Sequence, residues 1–171
     1  MDRQREIDDL LDREQIRELA TRYSFAADSR DFEAVAELFD EEVDNGKWGK
    51  GREATKAFYE KLLGQGTEGS VMHLISNHQI DFVDDSHAYG MCYVRAVAGI
   101  GDKWTEVAAC YVDDYVKRDG RWYFARRRPT DLQRFMISDP VGIGKLSLAD
   151  AWTIHRERQA ELRGASEGKT S

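Results

Sequence analysis

Residues 104–130 read WTEVAACYVDDYVKRDGRWYFARRRPT, and this stretch decides the fold. Two runs rich in β-branched and aromatic residues flank the dipeptide Asp119-Gly120. An Asp-Gly pair between two alternating runs is a strong local signal for a β-hairpin. The stretch therefore predicts two antiparallel strands, over Trp104–Lys117 and Trp122–Thr130.

Two more strand-like runs come before this hairpin, over Val71–Val83 and Ala88–Ala98. Turn-forming residues follow each run, at 84–86 and at 99–102. Consecutive hairpins of this kind predict an antiparallel meander.

The first third of the chain has helical signals. Asp12 is a candidate N-cap with Gln15 as its capping-box partner. Apolar residues then recur at helical spacing, at Ile16, Leu19, Ala20, Tyr23 and Ala27. Asp31 is placed to cap a second short helix, and a third helix is expected over about 53–63. Helices followed by a meander predict an α+β domain with helices packed on one face of a curved sheet.

The 171 residues are expected to form a single domain with a core over about 8–140. Ser147-Leu148-Ala149-Asp150 is a plausible capping box for a last helix over about 147–162. The small and polar tail, 164–171, is expected to be disordered.

Charge and hydropathy argue against several classes of partner. The net charge is −7 and no long basic run occurs, so neither nucleic acid nor an anionic membrane is expected to bind. The charged N-terminus lacks the apolar core of a signal peptide, and no run of 18 apolar residues is found. A cytoplasmic location is the simplest expectation.

Metal and disulfide chemistry are not expected. Cys92 and Cys110 are far apart in sequence and form no CxxC motif. His73 and His78 are an odd number of positions apart, so a regular strand would place them on opposite faces, unable to chelate together. The prediction is therefore no metal and no cofactor.

Asp28 and His73 are the two candidates for chemistry. Asp28 lies just beyond the apolar stripe of the first helix, at the end where a carboxylate opposes the helix dipole. His73 lies near the start of the first long strand. A neutral imidazole with a carboxylate on its other nitrogen makes a general base near neutral pH. Taken alone, however, Asp28 is better explained as a solvated loop aspartate and His73 as a structural histidine.

Several other residues are candidates for a binding site. Tyr23 falls on the core stripe of the first helix, so it serves either the core or a cavity. Asn77 shares a face with His73 if the strand is regular. Arg95 lies in an apolar run, where an arginine reaches a rim or marks a polar pocket. Arg128 has the parity of the apolar residues of the last strand, although surface charge equally explains the triplet 126–128. Trp48 and Tyr111 suit an aromatic or alicyclic ligand, or the core.

Three segments together resemble proteins of a known family. They are Glu14–Leu19 leading to Tyr23 and Asp28, Phe32–Phe39, and Tyr115–Trp122. Their order and spacing, over about residues 8–140, resemble SnoaL-like proteins of the ketosteroid-isomerase-like (NTF2-like) superfamily. Within it, the chain is similar to the scytalone dehydratase, bile-acid 7α-dehydratase and hexachlorocyclohexane dehydrochlorinase families. The resemblance implies a cone-shaped α+β barrel with a cavity between helices and sheet, and a homo-oligomer, commonly a trimer.

The resemblance also implies a function. Asp28 and His73 match the aspartate and histidine that these relatives use, and Tyr23 matches a tyrosine of the bile-acid enzyme. An arginine of the last strand is also functional there, and its register within 126–128 stays open. The expectation is a cofactor-independent lyase, of dehydratase, dehydrohalogenase or retro-aldol deformylase type, acting on a hydrophobic or aromatic small molecule.

Two alternatives remain open from the sequence. One is a ketosteroid-type isomerase, in which an aspartate itself shuttles the proton. The other is a non-catalytic binding or assembly module, since fold does not fix function. A closed pocket with Asp28 and His73 within about 3.2 Å of each other would favour an enzyme. A cavity filled by side chains, with the two residues apart, would favour the module.

Overall fold

The computed structural model describes residues 3–64, 71–100, 103–137 and 157. Three α-helices come first, with a 3₁₀ turn at Gly46–Trp48 between the second and third: α1 Arg3–Asp28, α2 Phe32–Glu37 and α3 Gly51–Gly64. Four strands follow within the described residues: β1 Val71–Phe82, β2 His87–Ile100, β3 Lys103–Arg118 and β4 Arg121–Ile137. The predicted C-terminal helix, apart from Glu157, and the predicted disordered tail lie outside the described residues.

The first helix is longer than its capping signals indicate. It begins at Arg3, so the expectation that Asp12 caps it is wrong. Residues 3–11 are rich in charged side chains but contain no proline or glycine, and this segment is therefore also helical. The Asp12 carboxylate instead accepts hydrogen bonds of 2.7 and 2.9 Å from Lys117 Nζ, which ties the helix to β3. The second cap is confirmed, because the Asp31 side chain accepts a hydrogen bond from the Ala34 backbone N–H.

The sheet is an antiparallel meander in the order β1-β2-β3-β4, as the consecutive hairpins predict. Asp119 and Gly120 both have positive φ, 49° and 77°, which is the backbone that a tight two-residue hairpin requires. The last strand continues past the expected end at Thr130, because Ile137 still pairs with Trp104. The α+β architecture expected from the sequence is confirmed.

The first strand contains a β-bulge. The register of β1 against β2 shifts between Ser76 and Gln79, where two residues of β1 stand opposite one of β2. Asn77 lies in this bulge with a φ of 52°, in the left-handed region that asparagine tolerates better than most residues. A bulge reverses the side-chain parity, so His78 lies on the same inner face as His73. The expectation that the two histidines lie on opposite faces is therefore wrong.

The last strand contains a second bulge. Between the pairs that Asp114 and Tyr115 make, β4 has one extra residue, Ala125. Parity again reverses, and as a result Arg127 is buried and Arg128 is exposed.

The core lies between the helices and the inner face of the sheet. Helix α1 packs against β1 and β4, and α2 packs against α1 and α3. Burying each large apolar side chain contributes roughly 1.5–3 kcal/mol. The core includes Ile16, Tyr23, Val35, Phe39, Tyr59, Tyr115 and Phe124. No described helix is long and apolar enough to cross a membrane.

Candidate active site

Asp28 and His73 are in direct contact where α1 meets β1. Asp28 Oδ1 lies 2.5 Å from His73 Nδ1, and Asp28 Oδ2 accepts the His73 backbone N–H at 2.9 Å. The two side chains are only 5% and 7% exposed. With Nδ1–H donated to the carboxylate, the neutral imidazole carries its lone pair on Nε2.

Local structure explains why these two residues meet. Asp28 is the last residue of α1, and Arg30 follows in a left-handed conformation with a φ of 59° that ends the helix. In the described sheet, β1 has a neighbouring strand on one side only. The His73 backbone N–H therefore needs a partner outside the sheet, and Asp28 supplies it.

Tyr23 lies one and a half turns before Asp28 on α1 and reaches the same region. Its ring centroid is 6.2 Å from that of His73, 5.9 Å from that of Tyr111 and 5.8 Å from that of Tyr59. Burial, followed by the neighbouring Tyr59, raises the pKa of Tyr23 well above its usual value. The phenol therefore stays protonated near neutral pH, and its hydroxyl is hydrogen-bonded to Tyr59 and Tyr111.

Arg127 brings a buried cation to this aromatic cluster. Its Nε and Nη2 donate to Asp113 at 2.9 and 2.7 Å, and the side chains are 1% and 0% exposed. The guanidinium lies over three rings, 4.3 Å from the Tyr23 centroid, 4.4 Å from Tyr111 and 4.1 Å from Phe124.

The surroundings of Arg127 keep it charged and leave one of its nitrogens without a hydrogen-bond partner among the described residues. Burial alone would lower the pKa of Arg127, but the Asp113 carboxylate together with Tyr23 and Tyr111 raises it by more, so the net pKa is well above its usual value. Arg127 Nη1 is buried and has no hydrogen-bond partner among the described residues.

A hydrogen-bonded chain continues from Asp113 across the sheet. The Tyr115 hydroxyl donates to Asp113 Oδ2 at 2.9 Å and lies 2.9 Å from His78 Nε2. Burial lowers the pKa of His78 to about 4, so this imidazole is neutral near pH 7.

The structure brings together four of the residues proposed from the sequence: Asp28, His73, Tyr23 and Tyr111. Trp48 lies farther out. It is half-buried in the 3₁₀ turn and packs edge-on against Phe58, with ring centroids 5.8 Å apart.

Three residues proposed from the sequence lie elsewhere. Asn77 is exposed because it forms the β1 bulge. Arg95 is exposed on the outer face and pairs with Glu106, with Arg95 Nε 2.6 Å from a carboxylate oxygen. Arg128 is exposed because the β4 bulge turns Arg127 inward in its place. These placements correct the expectations that Asn77 shares a face with His73 and that Arg95 and Arg128 line the binding site.

Sequence reasoning missed five inner residues: Tyr59, His78, Asp113, Tyr115 and Arg127. Alternation along β3 offered a signal for two of them, because Asp113 and Tyr115 have the same parity as Tyr111. His78 and Arg127 carry the wrong parity for a regular strand, and only the bulges bring them inside.

Metal-site and disulfide signatures are absent from the described part of the chain. No group of three or more His, Cys, Asp or Glu side chains there could hold a metal ion. Cys92 and Cys110 are buried free thiols, and burial raises the pKa of Cys92 to about 11.

Comparison with known proteins identifies the family. The model of the SnoaL-like domain matches residues 8–128. A hexachlorocyclohexane dehydrochlorinase (LinA type 2) superimposes with a TM-score of 0.69 at 22% identity, covering 81% of this chain and 99% of that one. A candidate scytalone dehydratase from Novosphingobium aromaticivorans superimposes with a TM-score of 0.64 at 28% identity, covering 80% and 97%.

A protein of unknown function from Mycobacterium tuberculosis is similar in the same way, with a TM-score of 0.61 and 23% identity over 86% of this chain and 87% of that one. No curated protein matches the sequence. With the SnoaL-like model spanning most of the described residues, the chain belongs to the SnoaL-like family of NTF2-like α+β proteins.

Proposed function

We propose that this protein is a cofactor-independent lyase that uses His73, oriented by Asp28, as a general base on an aromatic or alicyclic small molecule. The observation that carries this proposal is the double contact between the two residues. Asp28 accepts both the ring Nδ1–H and the backbone N–H of His73. The carboxylate thereby fixes the tautomer, holds the ring in place and leaves Nε2 as the base.

In an elimination, His73 Nε2 removes a proton from the carbon next to the one that bears the leaving group. The C–H electron pair forms the new double bond, and the leaving group departs with the electrons of its own bond. Asp28 stabilises the imidazolium while it carries the proton. A halide leaves as the free ion, whereas a hydroxyl group leaves as water by taking a proton, which the His73 imidazolium returns to it. The other product is an alkene or enone, and a positioned base of this kind contributes roughly 10²- to 10⁴-fold in rate.

A retro-aldol cleavage would use the same base. His73 would take a proton from a hydroxyl, the adjacent C–C bond would break, and formaldehyde would leave. The remaining enolate would then recover a proton at carbon. Both reactions develop negative charge away from His73, and both need a group that stabilises it.

Tyr23 and Arg127 are the groups we assign to that negative charge. Tyr23 is neutral and retains its proton, and its ring contacts both His73 and the Arg127 guanidinium. Arg127 Nη1 has no partner among the described residues, so it can receive a leaving group or an oxyanion. The assignment moves the role expected for Arg128 to its neighbour. The Tyr111 ring also packs against the guanidinium.

The relatives support a lyase as the class of reaction. One structural neighbour is named a dehydrochlorinase and another a candidate scytalone dehydratase. An isomerase that uses Asp28 alone fits less well, because both oxygens of that carboxylate are engaged by His73.

The test measures product formation from three probes: γ-hexachlorocyclohexane, scytalone and 3-hydroxycyclohexanone. Chloride release reports on the first, and ultraviolet absorbance of the new conjugated product reports on the others. We expect turnover of at least one probe by the native protein and near-complete loss in His73→Gln. His87→Gln is the control, because His87 is exposed and pairs with Asp84 at a hairpin. Full activity in a folded His73→Gln protein would overturn the mechanism.

We also propose that the protein is a cytoplasmic homo-oligomer, with a trimer favoured by resemblance. The outer face of β1 and β2 exposes apolar side chains that suit a subunit interface: Leu74, Tyr89, Met91 and Tyr93. Light scattering coupled to size-exclusion chromatography measures the mass, and a monomer at micromolar concentration would contradict the proposal.

A further inference from the structure

Two β-bulges and one glycine converge on a single hydrogen-bonded network. The β1 bulge turns His78 inward, and the β4 bulge turns Arg127 inward. Between them, on β2, lies Gly90. A Cβ at this position would lie 2.4 Å from the Gln79 carbonyl oxygen and 3.2 Å from the Tyr115 ring. Only glycine lets the Tyr115 ring lie across β2 and reach from β3 to His78 on β1.

The direction of each hydrogen bond that links His78, Tyr115, Asp113 and Arg127 is fixed. Asp113 only accepts, because it is the carboxylate partner of Arg127. The single hydroxyl proton of Tyr115 is therefore donated to Asp113. It follows that the Tyr115 oxygen accepts from His78 Nε2–H, which fixes the tautomer of that neutral imidazole.

This hydrogen-bonded network determines which N–H groups of Arg127 are bound to the protein. Asp113 takes up Nε and Nη2, and Nη1 is left as a buried donor without a partner among the described residues. If the guanidinium rotated about its Cζ–Nε bond, Nη1 and Nη2 would exchange places. A fixed guanidinium keeps one donor committed to the protein and one open.

We propose that His78, Tyr115 and Asp113 are positioning residues that hold the Arg127 guanidinium in a single orientation, with Nη1 reserved for negative charge in the reaction. The inference rests on the proposed function for its catalytic meaning. The orientation itself is a property of the free protein and is testable without substrate.

Burial of so many polar groups is not needed to stabilise the fold. Replacing a buried ion pair by packed apolar side chains is commonly neutral or stabilising. Here an ion pair that is 1% and 0% exposed is supported by a tyrosine of β3 and a histidine of β1. These polar groups are explained as a network that fixes the orientation of the Arg127 guanidinium.

Nitrogen-15 NMR of the arginine side chains tests the orientation directly. Signals of Arg127 are assigned by their loss in Arg127→Lys. In the native protein we expect separate Nη1 and Nη2 signals, because the paired guanidinium rotates slowly. Removing one hydrogen bond to a charged group in Tyr115→Phe should speed this rotation about tenfold or more. Tyr123→Phe is the matched control, since Tyr123 lies on β4 and its ring packs against Arg52 and Arg121 instead of Asp113.

Kinetics on a probe that the native protein turns over test the catalytic meaning. Tyr115→Phe should lower kcat about tenfold with KM unchanged, and His78→Asn should act in the same direction. Asp113→Asn should have a larger effect, and Tyr115→Phe decides the outcome if that variant fails to fold.

Each result has one meaning. Unchanged guanidinium rotation in both Tyr115→Phe and His78→Asn would overturn the inference. So would faster rotation with an unchanged kcat. Absence of turnover by the native protein on all probes would instead contradict the proposed function. The NMR result would still decide whether His78, Tyr115 and Asp113 hold the Arg127 guanidinium in one orientation.

Discussion

Asp28 accepts two hydrogen bonds from a single residue, His73, one from the ring and one from the backbone amide. The second contact anchors the carboxylate to the strand that carries the histidine. The orientation of the imidazole is therefore set relative to the sheet as well as to α1.

Replacing Asp28 by asparagine tests the orienting role. The amide retains one acceptor, so the ring loses a charged partner and its preferred tautomer. We expect kcat to fall by roughly 10²- to 10⁴-fold, the range of a lost general base. Asp85→Asn is the control, because that carboxylate is 96% exposed on a hairpin. An Asp28→Asn protein with native near-ultraviolet circular dichroism and native kcat would contradict the dyad.

Breaking the Asp113–Arg127 pair separates stability from activity. Arg127→Met leaves a carboxylate buried without its partner and should lower the free energy of unfolding by about 3–5 kcal/mol. The double variant Arg127→Met with Asp113→Leu removes both charges and should regain most of that stability in urea titrations. It should not regain activity. A double variant that is both stable and fully active would show that the cation has no part in the reaction.

His78 should make stability depend on pH in a defined window. Its pKa in the folded protein is lowered by burial from 6.5 to about 4, so between these values the unfolded chain binds more protons. The free energy of unfolding should therefore fall as pH decreases from about 6.5 to about 4. Urea titrations at a series of pH values across this range should show a weaker pH dependence of the free energy of unfolding in His78→Gln than in the native protein. An equal pH dependence in the two proteins would contradict the buried, neutral state of His78.

Gly90 should be intolerant of even one added carbon. The new Cβ of Gly90→Ala would lie 2.4 Å from a backbone oxygen, which cannot move without disturbing β1. We expect a loss of about 1–3 kcal/mol in the free energy of unfolding, measured by urea titration. Gly64→Ala is the matched control, because its Cβ would meet Phe32 at an ordinary 3.7 Å. Equal stabilities for the two variants would remove the steric argument.

Much of the architecture could be predicted because it depends on local signals. The Asp119-Gly120 turn, the Asp31 cap and the apolar stripe of α1 each act within a few residues. The pairing of Asp28 with His73 spans 45 positions. Periodicity could not supply it, and family resemblance did.

The remaining errors have one physical origin. An odd or even position along a strand predicts the face that a side chain occupies only while the ladder is regular. One extra residue reverses this assignment for every residue beyond it. Asn77 offered a weak signal, since asparagine favours the left-handed backbone found there. Ala125 offers none, so the alternation of a regular strand favours Arg128 over Arg127.

The two bulges also bear on how such proteins diverge. Deleting Asn77 or Ala125 would remove a bulge and restore regular alternation, and the same residues, His78 and Arg127 among them, would still face the interior. An insertion or deletion of a single codon in these strands can therefore be absorbed as a bulge with the chemistry of the interior unaltered. Equivalent positions among relatives should accordingly be matched by strand register, because counting along the chain will pair an inward residue with an outward one.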